Sequence, residues 1–398
     1  MILLSGFMMV DLVAADLPDI PSPGDLVYAP RGISVYPGGH PDNVASTLVK
    51  LGHNPRDIAL VGAVGDDAFG RFLIETMGSL GIKLLVRSLK ANTGKTVSLK
   101  PRGKDRSFVV DVGANLLFNA SWVLSALEEL SPSFFYMAGG ILGNADNEIS
   151  DMLARAKELG AVTLADSVRP LGRGWDYLTP ALKHVDFLHL NREEARELTG
   201  ESDWEGAARA LSKAGARFAL VTDEEGVMAS WDGGNHRAFQ PSFKVDVVDT
   251  TAAGDSFVAG LIEMLGKRGI PSTKAELEEC LRFAQATAAV KCTGVSTSGV
   301  SLEAVEKMLG KTSRRALPSV LSVLLPELDG LLHVLKDLFV VLLRGRDVLH
   351  EGVDLLGSRS LQALNNLIWL HDTDLVVLAR EGPVPVRLPV GLLQVDDR

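Results

Sequence analysis

The sequence predicts an α/β protein with a doubly wound, mostly parallel sheet flanked by helices. Short, almost continuously apolar runs are typical of strands buried on both faces, and they occur at 2–10, 57–64, 134–140, 162–167, 185–191 and 218–223. Amphipathic segments that end in glycine, as helices commonly do, lie between several of these runs, at 43–52, 148–160, 192–200 and 205–215. This alternation of strand and helix patterns indicates a parallel sheet.

Two segments depart from this alternation and predict a second, smaller sheet. Residues 24–37 and 94–110 contain strand-like runs broken by glycine and proline turns. Such runs are typical of hairpins. We therefore expect the two hairpins to stand apart from the parallel sheet as a small lid.

The composition limits the function classes. The chain has 398 residues, of which 46% are hydrophobic and 23% charged, with a formal net charge of −10. That charge argues against nucleic acid or an anionic membrane as the main partner. Two cysteines, Cys280 and Cys292, form no disulfide framework or metal-ligand pattern, which favours a cytoplasmic protein. The apolar N-terminus lacks a basic segment and is interrupted by Asp11, so it predicts a buried strand rather than a signal peptide.

The composition changes after about residue 312, which predicts a main domain over 1–312 and an extension over 313–398. The extension has one lysine, Lys336, and leucine fills roughly one position in four, well above average usage. Its apolar runs are too short to cross a bilayer. It contains no motif, and both an added helical domain and an out-of-frame translation product fit its composition. We expect a non-catalytic appendage of unknown role.

The segment "VVDTTAAGDSFVAG", residues 247–260, carries the first chemical signal. Small residues over 251–254 precede Asp255, and an apolar helix pattern follows. Backbone N–H groups and the helix dipole at such a turn bind anions. The adjacent carboxylate could take a proton from a hydroxyl that attacks a phosphoryl group. The alternative is an ordinary helix start with a stabilising acid in its first turn.

The segment "YPGGHPDNVASTLVKLG" carries the second signal. Gly38 and Gly39 precede Asn43, near the start of a predicted helix. A glycine pair allows a ligand to approach the main chain, and an amide side chain can both donate to and accept from sugar hydroxyls. The alternative is a turn in which Asn43 or Asp42 caps the helix.

Together these segments resemble the two signature regions of the PfkB, or ribokinase-like, carbohydrate kinases. The matching stretches are "GGHPDNVAS…GHNPRDIALVGAVGDDAFG" and "DTTAAGDSFVAGLI", and the likeness extends from residue 1 to about 312. The Ala-Ala-Gly-Asp turn is especially similar to that of ribokinases. The resemblance implies a ribokinase-like fold whose β-sheet lid falls at about 12–38 and 94–113. It also implies an ATP-dependent kinase that phosphorylates a hydroxymethyl group of a small sugar such as ribose or fructose.

The resemblance also assigns roles on the sugar side of the site. It implies that Asp255 is the catalytic base. The anion hole that holds the transferring phosphoryl group would consist of Ala252, Ala253 and Gly254. The substrate-binding residues would be Asp11, Gly39, Asn43 and, in the loop after the second hairpin, Asn115.

On the nucleotide side, the resemblance implies ATP and Mg²⁺ as cofactors. Asn191 and Glu194 match an Asn-x-x-Glu motif in which the acid acts on Mg²⁺ through water, although the same spacing forms a capping box. The other implied nucleotide contacts are Thr222, Gly226 and Gln285. A monovalent cation such as K⁺ would bind main-chain carbonyls at Asp249 and Thr251.

Several alternatives stay open at this point. The region "YMAGGILGNAD" lacks a second sugar-binding acid, so fructose, a keto-deoxy sugar acid or a nucleoside compete with ribose as the acceptor. An acceptor that is already phosphorylated would need cations, for which His40, Arg102 and Arg106 are candidates. A nucleoside kinase of the same fold, or a sugar- or nucleotide-binding regulator without efficient catalysis, also fits. The lid could form a homodimer interface.

Overall fold

A computed structural model describes residues 1–103, 106–297 and 299–310, and two short strands near the C-terminus. Contacts divide the chain into two units, Met1–Thr312 and Ser313–Arg398. The boundary coincides with the change in composition. The second unit contributes only the two short strands, and the rest of the predicted extension lies outside the described residues.

The first unit is built on two sheets. Numbered in chain order, the strands of the large sheet are β1 (Ile2–Ser5), β4 (Ile58–Gly65), β5 (Lys83–Leu89), β8 (Phe134–Gly139), β9 (Val162–Ser167), β10 (Phe187–Asn191), β11 (Phe218–Asp223), β12 (Gly226–Trp231) and β13 (His236–Pro241). Their spatial order is β13-β12-β11-β10-β9-β8-β1-β4-β5. All pairs from β11 to β5 are parallel, whereas β12 and β13 add an antiparallel edge. This confirms the predicted mostly parallel sheet.

Helices flank the large sheet. They are α1 (His40–Lys50), α2 (Ala68–Ser79), α3 (Ala120–Leu130), α4 (Ile149–Glu158), α5 (Arg192–Thr199), α6 (Trp204–Lys213), α7 (Ala253–Arg268) and α8 (Lys274–Cys292), with a further helical segment over 302–310. The four predicted from amphipathic patterns are α1, α4, α5 and α6. Each is followed by a glycine with positive φ, as the patterns predicted: Gly52, Gly160, Gly200 and Gly215.

The first apolar run differs from its prediction, because 2–10 is not one strand. β1 ends at Ser5, and the chain then leaves the large sheet and continues as β2 (Met9–Leu17) in the small one. The side chain of Asn115 accepts a hydrogen bond from Met8 N and donates to Met8 O, each over 2.9 Å, which satisfies the backbone at the crossing point. Both segments are buried, so hydrophobicity alone shows no break between them.

The small sheet is the predicted lid, with the order β3-β2-β6-β7. The hairpin expected over 94–110 is present as β6 (Gly94–Pro101) and β7 (Ser107–Asp111). The other hairpin is shifted, because β3 (Ile33–Gly38) pairs with β2, and 24–32 contains no strand. The lid therefore begins at Met9 and places β2 between β3 and β6.

In the second unit, β14 (Val376–Ala379) pairs antiparallel with β15 (Gly382–Pro385). Among the described residues, no helix combines the length and the hydrophobicity that a bilayer crossing requires.

Candidate active site

The turn before α7 lines a cavity of about 730 Å³ with residues 250–255. Ala252 is the N-cap of α7 and has a left-handed backbone with φ of 64°. The Asp249 carboxylate accepts a hydrogen bond from the Thr251 N–H over 3.0 Å and so closes the turn. A Cβ on Gly254 would lie 2.9 Å from Cε1 of His189, so only glycine lets the turn pack this closely. The predicted anion hole therefore lies at the N-terminus of a helix and faces open space.

Asp255 lies at the base of this turn, and its side chain is only 6% exposed. Its Oδ2 accepts a hydrogen bond from Asn43 Nδ2 over 2.8 Å, and its Oδ1 lies 3.5 Å from His40 Nδ1. Burial raises the pKa of Asp255, although the charge of His40 opposes that rise. A buried carboxylate with a raised pKa is a stronger proton acceptor than an exposed one. The structure thus joins the predicted base to a predicted sugar contact.

The remaining predicted sugar contacts lie at the junction between the lid and α1. Burial, with a further contribution from Asp255, raises the pKa of Asp11 to about 6. A Cβ on Gly38 would lie 2.4 Å from Asp11 Oδ2. Gly39 has φ of 96°, and a Cβ there would lie 2.2 Å from Phe7 O. The glycine pair is therefore required for α1 to begin this close to the lid strand β2.

Asn115 has a structural function that the sequence did not indicate. The residue is fully buried, and besides its two bonds to Met8 its Nδ2 donates to Val112 O over 2.9 Å. Its amide therefore holds the crossing between the two sheets. A sugar contact by Asn115 stays a prediction.

Asp166 and His189 form a cluster with His40 beside Asp255, and these two residues were missed from the sequence. Asp166 lies near the carboxyl end of β9, and its Oδ2 is 2.8 Å from Nδ1 of His189 on β10. The same oxygen lies 3.8 Å from His40 Nδ1. The hydroxyl of Tyr136 donates to it over 3.3 Å. The only sequence signal was position, since both β9 and β10 were predicted strands with polar residues near their carboxyl ends.

Electrostatics couple the members of this cluster. Burial raises the pKa of Asp166, but His189 and His40 outweigh it and hold the pKa below its usual range. Burial lowers the pKa of both imidazoles, and the carboxylates of Asp166 and Asp255 outweigh that effect in turn. Ligand atoms of His40, Asp166 and Asp255 lie within 4.8 Å of one another, a spacing that could hold a metal ion. The imidazoles of His40 and His189 already compensate the negative charge of these carboxylates.

The predicted nucleotide-side residues other than Gly226 line the same cavity, and the capping-box alternative is also present. Asn191 Oδ1 accepts from Glu194 N and Glu194 Oε2 accepts from Asn191 N, each over 2.9 Å. Burial, followed by the charge of Asp166, raises the pKa of Glu194 to about 7. The cavity is lined by Asn191, Glu194, Thr222, Gln285 and the turn. A structural cap and a position in the cavity therefore coexist here.

The other predicted nucleotide contacts differ in character. Thr222 Oγ1 lies 3.0 Å from His189 Nε2, which ties the nucleotide side to the histidine cluster. Gln285 is buried in the cavity wall, and its Nε2 finds no hydrogen-bond partner among the described residues. Gly226 opens β12 at a hairpin, where a Cβ would lie 2.3 Å from Gln240 O. Gly226 thus has a backbone role, and its contact with a nucleotide stays a prediction.

Of the three candidate cations, two lie at the cavity. Arg106 of the lid contacts the Thr250 hydroxyl and lines the cavity, as does His40. Arg102 instead forms an exposed pair with Asp16, with 2.7 Å between Nε and Oδ1.

Comparison with known proteins identifies the family. The protein-family model described as "pfkB family carbohydrate kinase" matches residues 1–304 of the sequence. The chain belongs to this family. It is accordingly a phosphotransferase that acts on an alcohol group, and the match ends before the extension begins.

Individual relatives agree with this assignment. A fructokinase from Klebsiella pneumoniae is 31% identical over 283 residues, which cover 65% of this chain and 86% of that protein. A ribokinase from Arabidopsis thaliana, solved with ribose and ATP, has a TM-score of 0.63 and 24% identity and covers 77% of this chain and 98% of its own. An Escherichia coli protein solved with ATP and Mg²⁺ has a TM-score of 0.63 and 21% identity, over 78% and 99%. At these identities the two structures show the shared fold.

Proposed function

We propose that this protein is an ATP-dependent kinase that phosphorylates a hydroxymethyl group of a small sugar, with Asp255 as the general base. The observation that carries the proposal is a buried carboxylate of raised pKa at the N-terminus of α7, held by Asn43 over 2.8 Å. Such a carboxylate accepts the proton of the attacking hydroxyl, while the helix N-terminus stabilises the charge on the phosphoryl group. The fructokinase relative favours a fructose-like acceptor, and the ribokinase neighbour a ribose-like one.

Other residues of the chain would orient the two substrates. Asp11 and Asn43 are polar groups at the junction with the lid, where they can bind sugar hydroxyls. His40 holds one oxygen of Asp255 at 3.5 Å, which leaves the carboxylate oriented for proton transfer. Gln285 offers a buried amide N–H₂ in the cavity wall, which suits the edge of a nucleotide base.

The residues present fit a magnesium ion near Glu194. The Glu194 side chain lines the cavity, and burial and the charge of Asp166 raise its pKa, so a nearby cation would stabilise the charged form. Mg²⁺ prefers carboxylate oxygens and usually keeps several waters. When bound with ATP, it neutralises charge on the phosphates. Glu194 would hold it through water.

The test is ADP release from Mg·ATP by the purified protein across ribose, fructose, keto-deoxy sugar acids and nucleosides. We expect turnover with one furanose-forming sugar and none in Asp255→Asn. Turnover with nucleosides alone would replace the sugar kinase with a nucleoside kinase. Tight ligand binding without turnover on any acceptor would support a binding regulator instead.

We also propose that a second copy of this chain covers the outer residues of the lid. The two edge strands of the lid, β3 and β7, expose Ile33, Val35, Val109 and Val110, each between 43% and 66%. Exposed apolar side chains on unpaired edge strands are typical of interaction surfaces. Sedimentation velocity should show a dimer that Val109→Asp dissociates, and a monomeric wild-type protein would refute the proposal.

A further inference from the structure

A buried ammonium group lies beneath the catalytic turn. Lys291 occupies the last turn of α8, and its side chain is 0% exposed. Removing an ammonium group from water costs free energy unless charged and polar partners compensate it. The groups that contact the Lys291 ammonium therefore indicate what this lysine does in the structure.

Those partners belong to one residue of the turn. Lys291 Nζ donates to the main-chain oxygen of Asp249 over 2.6 Å and lies 3.5 Å from Asp249 Oδ2. Burial lowers the pKa of Lys291, and the charge of Asp249 opposes that effect. Asp249 also contacts Lys100 of the lid strand β6. Although burial raises the pKa of Asp249, the hydrogen bond from Lys100 and the charge of Lys291 bring it well below its usual range.

The end of α8 and the catalytic turn form one unit around this ammonium. Val248 N donates to Cys292 O over 2.8 Å, so the chain just before the turn pairs with the residue that follows Lys291. The Ser296 N–H donates to Asp249 Oδ2 over 3.4 Å from the loop after α8. The lysine thus fixes Asp249, and Asp249 fixes Thr251 through the bond that closes the turn.

We propose that the Lys291 ammonium takes the place of the monovalent cation expected at Asp249 and Thr251, so that the kinase needs no K⁺. An ammonium group and K⁺ carry the same charge and both bind carbonyl oxygens. A cation at the Asp249 oxygen would have to lie where the ammonium already donates, so the residues present do not fit a separate ion. Lys291 is then a positioning residue that acts through Asp249 on the anion-hole turn. This inference rests on the proposed function only where it concerns turnover.

The experiment compares KCl with tetramethylammonium chloride at equal ionic strength, using melting temperature and ADP release. For the wild-type protein, we expect the same melting temperature and turnover within twofold in both salts. Lys291→Ala leaves a space without charge, and we expect turnover to fall on the order of tenfold to a hundredfold. K⁺ should restore part of that turnover and raise the melting temperature, whereas tetramethylammonium should do neither.

Two further variants separate charge from packing. Lys291→Met fills the same space without a charge, so we expect loss of turnover that K⁺ does not restore. Lys50→Ala is the matched control, because Lys50 Nζ donates to Thr297 O over 2.8 Å near the same loop but not to the turn. It should show no selective response to K⁺.

Selective stimulation of the wild-type protein by K⁺ would overturn the proposal. So would a Lys291→Ala protein that folds but responds equally to both salts. If Lys291→Ala does not fold, the wild-type comparison and Lys291→Met still decide the matter. If no acceptor gives turnover, the melting temperatures still test the cation site, and that failure belongs to the proposed function alone.

Discussion

Asp255 lies between two regions that differ in how they are built. On one side, residues 249–254 form a turn whose members are consecutive in the chain. On the other, three residues come from separate elements: Asp166 and His189 meet because β9 and β10 are neighbours in the sheet, and His40 joins them from the start of α1. Lys100 and Lys291 hold the turn through Asp249, whereas the cluster contains two imidazoles in which neighbouring carboxylates outweigh the lowering of the pKa by burial. We therefore expect changes in the turn to alter the rate of phosphoryl transfer and changes in the cluster to alter its dependence on pH.

The largest effect is expected from a change at Asp255, which lies between the two regions. Asp255→Asn keeps the shape and the contact with Asn43 but cannot accept a proton. We expect kcat to fall by about a thousandfold or more, with ATP binding retained, as steady-state kinetics and calorimetry would show. Asp203→Asn, at the N-cap of α6, is a control that should retain full activity. Retention of wild-type turnover in Asp255→Asn would remove the assigned base.

The next prediction concerns a change in the histidine cluster that leaves the turn unchanged. The charge of His40 lowers the pKa of Asp255, so His40→Gln should raise it. Because the base acts when deprotonated, the acid limb of the kcat profile should move to higher pH. We expect about a threefold to tenfold loss at pH 6 and a smaller loss at pH 8.

His53→Gln is the matched control for this change. His53 pairs with Glu263 over 3.3 Å and does not line the cavity around Asp255. Its pH profile should superimpose on that of the wild type. An acid limb that stays in place in His40→Gln would show that the cluster does not tune the base.

A smaller effect concerns stability on the sugar side. The pKa of Asp11 is raised to about 6, so the folded state favours its protonated form. The stability from that proton is complete below about pH 4 and is lost as the pH rises through 6. Asp11→Asn should therefore raise the free energy of unfolding by ~1–2 kcal/mol more at pH 7.5 than at pH 4, in urea titrations. It should also weaken sugar binding.

Asp16→Asn should change the free energy of unfolding with pH in the opposite direction to Asp11→Asn. The hydrogen bond from Arg102 lowers the pKa of Asp16, so its stabilising contribution is present at neutral pH and lost in acid. Removing that charge should cost a little stability at pH 7.5 and none below the pKa. If both variants respond to pH alike, burial of Asp11 is not the cause.

The smallest effect concerns the turn alone. Ala252 adopts φ of 64°, which costs an L-residue on the order of 1 kcal/mol and which glycine adopts freely. Because backbone N–H groups form the proposed anion hole, Ala252→Gly should change turnover little and raise the free energy of unfolding by up to about 1 kcal/mol. Ala253→Gly, at the first residue of the helix, relieves no such strain and should not raise it. Equal melting temperatures for the two variants would contradict this account of the turn.

The same contrast explains what the sequence could predict. The parallel sheet, four helices and the turn before α7 follow from local patterns and were predicted. The pairing of Asp166 with His189 depends on the adjacency of β9 and β10, which neither strand encodes alone. The break at Met8 depends on Asn115, more than a hundred positions away. Lys291 sat within a helical pattern, where a lysine normally indicates an exposed face, so its burial was not foreseeable.

The position of β1 has a consequence for how the chain folds. This strand pairs at Ile2 with Ile58 on one side and with Phe134 on the other, in the middle of the large sheet. β1 therefore cannot complete its pairing until two segments far along the chain are available. Pairings this distant in sequence slow folding and leave apolar strands exposed in the meantime. We expect a chain that lacks β8 to leave one edge of β1 unpaired.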